Sequence, residues 1–164
     1  MKGTIAVCPG SFDPITFGHI DIITRASKMF SKVIVVVMEN GAKNPLFTPQ
    51  ERIDMIKLAT TGLDNIEIDF YDGLLADYCK EKNAGAIVKG LRAMSDFEYE
   101  FQMALANKKL NPNTETVFLT TSAENMYLSS SMVKQIGKMN GDISPFVPAV
   151  IHKKIINRLL GKDA

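Results

Sequence analysis

At 164 residues, 46% hydrophobic and 23% charged, the chain has the length of one domain with a full-sized core and the composition of an ordinary water-soluble protein. A formal net charge of +1 implies no general pull toward nucleic acid or a membrane surface, and no apolar run approaches the ~20 residues of a bilayer span. The N-terminal apolar run is too short for a secretory signal, so the cytoplasm is the expected location. Cys8 and Cys79 are the only cysteines and His19 and His152 the only histidines; the thiols are expected to be reduced, and no zinc set or other metal ligand cluster is expected.

The periodicity of the chain alternates. Residues 3–8 read as a short strand, and 19–30 as a helix with Ile20, Ile23, Ser27 and Phe30 at helical spacing and Ala26 alongside. The run KVIVVVM at 32–38 is apolar throughout, as in a strand buried on both faces. Thr48, Pro49 and Glu51 form a capping box with a proline start for a helix over 48–60. A strand at 65–71, a helix at 73–83 and a short buried strand at 86–88 follow. Ser95 and Glu98 predict a second capping box for a helix over 95–110. A fifth strand at 115–121 and closing helices at 130–140 and 148–160 complete the chain. Strict alternation of this kind implies one α/β domain over residues 1–164, a Rossmann-like, doubly wound five-stranded parallel sheet with closing C-terminal helices.

In such sheets ligands sit beyond the carboxyl ends of the strands. That rule selects 9–18, 39–47, 72–75, 89–95 and 121–131. These segments hold Pro9, Gly10 and Ser11, Lys43, Asp72 and Gly73, the run KGLR at 89–92, and three serines at 129–131. Small residues, cations and serines converging on one rim are the chemistry of a phosphate site. His19 follows Gly18 in the first turn of a helix, where free N–H groups attract an anion and the local field disfavours imidazolium. A neutral ring there can donate to a phosphate oxygen, while Gly18, lacking a Cβ, leaves room for a bulky group to approach the backbone. Neither a Walker loop nor a G-x-G-x-x-G after the first strand is present, so PGSFDPITFGH is a different cradle.

Thr16-Phe17-Gly18-His19 resembles the T/H-x-G-H signature of the nucleotidyltransferase superfamily, and LSSSMVK at 128–134 resembles its second signature. With KNPLFTPQER at 43–52, KGLRAMSDFEYEFQMALANKKL at 89–110 and the short length, the whole chain resembles the bacterial phosphopantetheine adenylyltransferases. The resemblance implies the penultimate step of coenzyme A synthesis, in which ATP and 4′-phosphopantetheine give dephospho-coenzyme A and pyrophosphate. It also implies a Mg2+ requirement and a homohexamer. The residues it assigns to ATP are Ser11, Phe12, His19, Gly90, Leu91, Arg92, Glu100, and Asn125, Met126, Tyr127, Leu128, Ser129, Ser130 and Ser131. Those it assigns to phosphopantetheine are Ser11, Lys43, Leu75, Lys89 and Asn107, with His19 as the catalytic group. Lys89 stands where the family more commonly has arginine; it is expected to meet the phosphopantetheine phosphate together with Lys43, leaving the ATP phosphates to Arg92. Two other readings stay open at this point: a nucleotidyltransferase acting on a nicotinamide or glycerol phosphate, and a non-catalytic nucleotide-binding module. The apolar residues Phe97, Phe101, Met103 and Leu105 fall on more than one face of their helix and suggest a partner.

Overall fold

The computed structural model describes residues 3–39 and 44–162, with Met94 and Ser95 described in their backbone alone. Strands β1 (Ile5–Gly10), β2 (Lys32–Met38), β3 (Ile66–Tyr71), β4 (Ala86–Leu91) and β5 (Glu115–Thr120) alternate with helices α1 (Phe17–Met29), α2 (Pro49–Ala59), α3 (Leu75–Glu81) and α4 (Met94–Leu110). A single 3-10 turn at Ala123–Asn125 then leads into α5 (Ser130–Lys138) and α6 (Ala149–Leu159). The sheet is parallel throughout, in the order β3-β2-β1-β4-β5. This is the doubly wound α/β architecture that the alternation implies.

Strand residues alternate between two covered faces. Ala6, Cys8, Val33, Val35, Val37, Ala86 and Val88 join the larger core, together with Ile22, Ile23 and Ala26 of α1, Met55 and Ile56 of α2, Val133 of α5, and Ile151 and Ile155 of α6. Val7, Ile34, Val36 and Ile87 face the other way, toward Tyr78 and Cys79 of α3. The buried stripe of α1 is thus Ile22, Ile23 and Ala26, which keeps Ile23 and Ala26 of the expected set and adds Ile22: Ile20 and Ser27 are only partly buried, and Phe30 packs into the core from beyond the helix end. Both thiols are buried and unpaired.

Three further departures from the sequence reading bear on the site. β1 runs on through Pro9 and Gly10, which pair with Val36 and Val37 of β2. β4 runs on through Lys89, Gly90 and Leu91, which pair with β5. The α4 N-cap is Ala93, in extended conformation, so Ser95 lies inside the helix and does not cap it.

The neighbours β1 and β4 meet only at Ala6–Ala86 and Val7–Ile87. Beyond those pairs each strand continues along its other partner, and the two diverge. Pro9 has no N–H to extend their ladder. The sheet therefore splits at the point where its strand order reverses, the place where open α/β sheets bind ligands.

Candidate active site

The split opens into a cavity of about 350 Å³. Its floor is Cys8, Pro9 and Gly10 on one side and Val88, Lys89 and Gly90 on the other. Ser11, Phe12, Gly18, His19, Arg92, Glu100, Leu128, Ser129, Ser130 and Ser131 complete it from the expected set. Leu91, Leu75, Asn107 and Met126 do not line it, and neither do residues 72–74. Leu75 packs at the edge of the smaller core. Asn107 is two helical turns beyond Glu100 along α4, about 10 Å at helical rise. Asn125 and Tyr127 line a shallower groove alongside, with Phe17, Ile20, Asp21 and Thr24. Lys43 lies outside the described residues.

Local chemistry holds His19 in place. The backbone N–H of Thr16, the α1 N-cap, donates to His19 Nδ1 at 3.0 Å. The imidazole thus takes the role that glutamate plays in an ordinary capping box. Because Nδ1 accepts, the neutral ring carries its proton on Nε2, which has no hydrogen-bond partner among the described residues. Burial, then the positive charges of Arg92 and Lys89, push the ring pKa down to about 4. The ring is therefore neutral at physiological pH, mainly because it is desolvated. The edge of the Phe12 ring packs against the imidazole at 5.2 Å.

A Cβ on Gly18 would meet Thr16, Asn125 and Leu128 only at ordinary contact distances, 3.6–3.8 Å. The surrounding protein does not require glycine at this position, which leaves its open face to the cavity. Gly90 differs: a Cβ there would come within 2.8 Å of Ile22.

The serine turn divides its work. Ser129 caps α5, accepting from the Met132 N–H at 3.1 Å, and Ser130 donates to the Pro14 carbonyl at 2.8 Å. Ser131, exposed at the mouth, has no hydrogen-bond partner for its hydroxyl among the described residues. Ser129, Ser130 and Ser131 line the cavity at the N-terminus of α5, an end that favours an anion.

Charge in the cavity is balanced in pairs. Lys89 meets Glu100 at 3.2 Å, Arg92 meets Asp96 at 3.2 Å, Lys134 meets Asp13 at 2.9 Å, and Arg52 lies 3.8 Å from Glu39. Arg92 also donates to the Leu128 carbonyl at 3.1 Å, tying β4 to the serine turn. Buried Asp13 accepts from the N–H groups of Leu46 and Phe47, each at 2.9 Å. It thereby joins the loop after β1, the segment before α2, and α5. A phosphate entering here can exchange with a carboxylate on Lys89 or Arg92 without stranding either cation.

Sequence reasoning missed Asp13, Arg52, Asp96 and Lys134. Arg52 left a signal: it falls on the apolar stripe of α2 with Met55, Ile56 and Ala59, where a cation is out of place. Lys134 closes the second signature, yet its partner is 121 positions away in sequence.

Residues 7–136 match the family described as Cytidylyltransferase-like. A phosphopantetheine adenylyltransferase of Caldanaerobacter subterraneus subsp. tengcongensis is 55% identical over 94% of this chain and 96% of its own. That of Alkaliphilus metalliredigens is 56% identical over 90% and 94%, and that of Heliobacterium modesticaldum 51% over 90% and 88%. The chain belongs to the phosphopantetheine adenylyltransferase family. A solved structure assigned provisionally as a nicotinate-nucleotide adenylyltransferase, from Vibrio parahaemolyticus, superposes with a TM-score of 0.71 over 100% of this chain and 98% of its own. At 16% identity that likeness concerns the fold alone.

Proposed function

We propose that this chain transfers the adenylyl group of ATP to 4′-phosphopantetheine, giving dephospho-coenzyme A and pyrophosphate. One observation carries the reading: His19 Nε2, Lys89, Arg92 and the serine-opened end of α5 converge on one cavity at the split in the sheet. The relatives' activity, at 51–56% identity, supports the same choice of substrates.

The nucleophile is a phosphate oxygen of phosphopantetheine, already anionic, so the reaction needs no general base. A P–O bond forms to the α-phosphorus of ATP as the bond to pyrophosphate breaks. The obstacles are charge repulsion and alignment, which positioned donors and cations overcome. In this reading the His19 Nε2–H donates to the α-phosphate as negative charge develops there. Arg92, Glu100, the Phe12 N–H, the 90–92 backbone and Ser129 to Ser131 hold the triphosphate side, with Asn125 to Leu128 at the nucleoside. Lys89, Lys43 and Ser11 take the phosphate of phosphopantetheine, and Leu75 and Asn107 its pantetheine arm. Magnesium enters with ATP as part of the nucleotide substrate, on the triphosphate oxygens, as is usual for this ion.

The reading extends to a homohexamer and to the cytoplasm. Supporting an assembly, α4 has no fully buried residue among those described and exposes Tyr99, Phe101, Met103, Leu105 and Leu110. No helix among the described residues is long and apolar enough to cross a membrane.

Pyrophosphate release from magnesium-ATP tests the proposal, with 4′-phosphopantetheine, nicotinamide mononucleotide, nicotinate mononucleotide and glycerol 3-phosphate as alternative acceptors. Release with phosphopantetheine alone is expected. Turnover with another acceptor, or with none, overturns it.

A further inference from the structure

Arg52 is the largest fully buried side chain of the protein among the described residues, with 2% of its surface exposed. It sits on the core face of α2 beside Met55 and Ile56 and borders the cavity floor. Its Nη1 donates to the Ser11 carbonyl at 3.0 Å. Among the described residues its Nε and Nη2 are buried without a hydrogen-bond partner, and the Glu39 carboxylate lies 3.8 Å from Nη2. A buried guanidinium so incompletely paired costs more than an apolar side chain of the same size. Fold stability alone does not account for it.

The carbonyl that Arg52 holds identifies its role. Ser11 and Phe12 share one peptide unit, and that peptide is trans, the single cis peptide described being Asp13–Pro14. In a trans peptide the C=O and the following N–H point in opposite directions. Fixing the Ser11 carbonyl on the guanidinium therefore aims the Phe12 N–H away from the core. That N–H has no hydrogen-bond partner among the described residues, and Ser11 and Phe12 both line the cavity. Phe12 also has φ +48°, a left-handed conformation that aromatic residues seldom adopt. Strain of this kind persists where neighbours impose it. The Phe12 ring is held too, against His19 and over Gly10, where a Cβ would come within 2.9 Å of it.

We propose that Arg52 is a positioning residue: its hydrogen bond to the Ser11 carbonyl turns the Phe12 N–H into the cavity as a fixed donor for a phosphate oxygen of the nucleotide. The guanidinium itself touches no substrate. It acts through one peptide unit, much as an oxyanion-hole amide is oriented by the bond behind it. This rests on the nucleotide reading given above.

The Ser-Phe dipeptide occurs once in the sequence, at 11–12. Labelling the full chain with carbonyl-13C serine and 15N phenylalanine thus isolates the signal of this peptide. In the wild type, adding the non-transferring analogue α,β-methylene-ATP is expected to shift the Phe12 amide. In Arg52→Met the Ser11 carbonyl signal is expected to move before any ligand is added, and the Phe12 amide to stop responding. kcat should fall at least tenfold, with a smaller change in either KM. Arg52→Lys, which keeps the charge but not the planar fork, should show an intermediate amide response. It also serves as the informative variant if Arg52→Met does not fold. A wild-type amide indifferent to the analogue, in protein that turns over phosphopantetheine, overturns the proposal without any variant. So does a folded Arg52→Met protein with kcat within twofold of wild type. Wild-type protein that releases no pyrophosphate with phosphopantetheine defeats the functional reading instead.

Discussion

The Thr16 backbone N–H donates to His19 Nδ1 at 3.0 Å, and this one bond decides which nitrogen of the imidazole faces the cavity as a donor. The ring is held neutral by burial and by Arg92 and Lys89, with its pKa lowered from 6.5 to about 4. Three consequences follow for pH. Carbon-13 or nitrogen-15 titration of His19 should show no protonation above about pH 5.5 in the free protein. In the proposed reading ATP places negative charge beside the ring, which stabilises imidazolium and should raise this pKa. The unfolded chain binds a proton near pH 6.5 that the folded chain resists, so this contribution to stability is complete above pH 6.5 and is lost as pH falls toward 4. A His19 signal titrating near 6.5 in the folded protein would contradict the geometry.

The same donor should matter to the chemistry. His19→Ala is expected to lower kcat by about two to three powers of ten, the effect of removing one positioned donor worth roughly 3–4 kcal/mol. The KM for ATP should change far less, because in the proposed reading ground-state binding is spread over Arg92, the 90–92 backbone and the α5 end. Steady-state kinetics with both substrates separates the two effects; a nearly unchanged kcat would leave His19 only the capping role that Thr16 gives it.

α4 makes a different prediction. Phe97 and Phe101 stack at 5.5 Å, and Phe97 meets the edge of Phe118 at 6.2 Å, so this cluster spans α4 and β5. Tyr99 and Leu105 stand 64% and 57% exposed on the same helix. Apolar surface of this kind on one element is characteristic of a subunit interface. Leu105→Glu should shift the sedimenting species to smaller assemblies while leaving the circular dichroism of the fold intact. Wild-type protein sedimenting as a monomer at micromolar concentration would remove the basis for the hexamer.

Most of this fold is legible in the chain because its elements alternate and its periodicities are clean: KVIVVVM reads as a strand buried on both faces and is one, and Thr48-Pro49-Glu51 opens a helix that the structure begins at Pro49. The misreadings come from tertiary context. Lys89-Gly90-Leu91 looks like a loop because it carries the polar and small residues of a ligand rim, yet β5 keeps it in the ladder. Ser95 looks like a cap, yet the chain enters α4 two residues earlier, through extended Ala93. Many of the cavity-lining residues were visible as motifs. Their supports were not, since Asp13–Lys134 and Arg52–Ser11 join segments 121 and 41 residues apart.

Asp13 tests how far the site depends on those supports. Its buried carboxylate serves Lys134 and two backbone N–H groups at once. Asp13→Asn keeps the shape but removes the charge, leaving Lys134 without its partner and offering one carbonyl oxygen to the Leu46 and Phe47 amides. A loss of at least about 2 kcal/mol is expected from the broken charge-assisted bonds. Thermal unfolding should register it as a lower Tm. Activity at low temperature should fall as well, because the loop carrying Ser11 and Phe12 loses its anchor to α5. An unchanged Tm would mean that Asp13 is not the hub its contacts describe.

Lys89 and Glu100 provide the sharpest test of how the cations divide the two substrates. Their ion pair, at 3.2 Å, sits on the cavity wall, with side chains 27% and 20% exposed, so it is partly screened but not fully solvated. An ammonium acts as a point charge, whereas an arginine would grip a phosphate with two parallel N–H bonds. Lys89→Ala should raise the KM for phosphopantetheine at least tenfold, in line with a charge-assisted hydrogen bond of about 1.5–3 kcal/mol. The KM for ATP should move much less. Lys89→Arg should keep most activity, because charge and approximate reach survive and Glu100 can still pair with it. Glu100→Gln removes the competitor for the Lys89 ammonium and should lower the KM for phosphopantetheine. Any loss it causes at the nucleotide should appear in the KM for ATP. The deciding quantity is the ratio of the two KM changes in Lys89→Ala. If ATP suffers as much as phosphopantetheine, Lys89 belongs to the triphosphate with Arg92, and the proposed division between them is wrong.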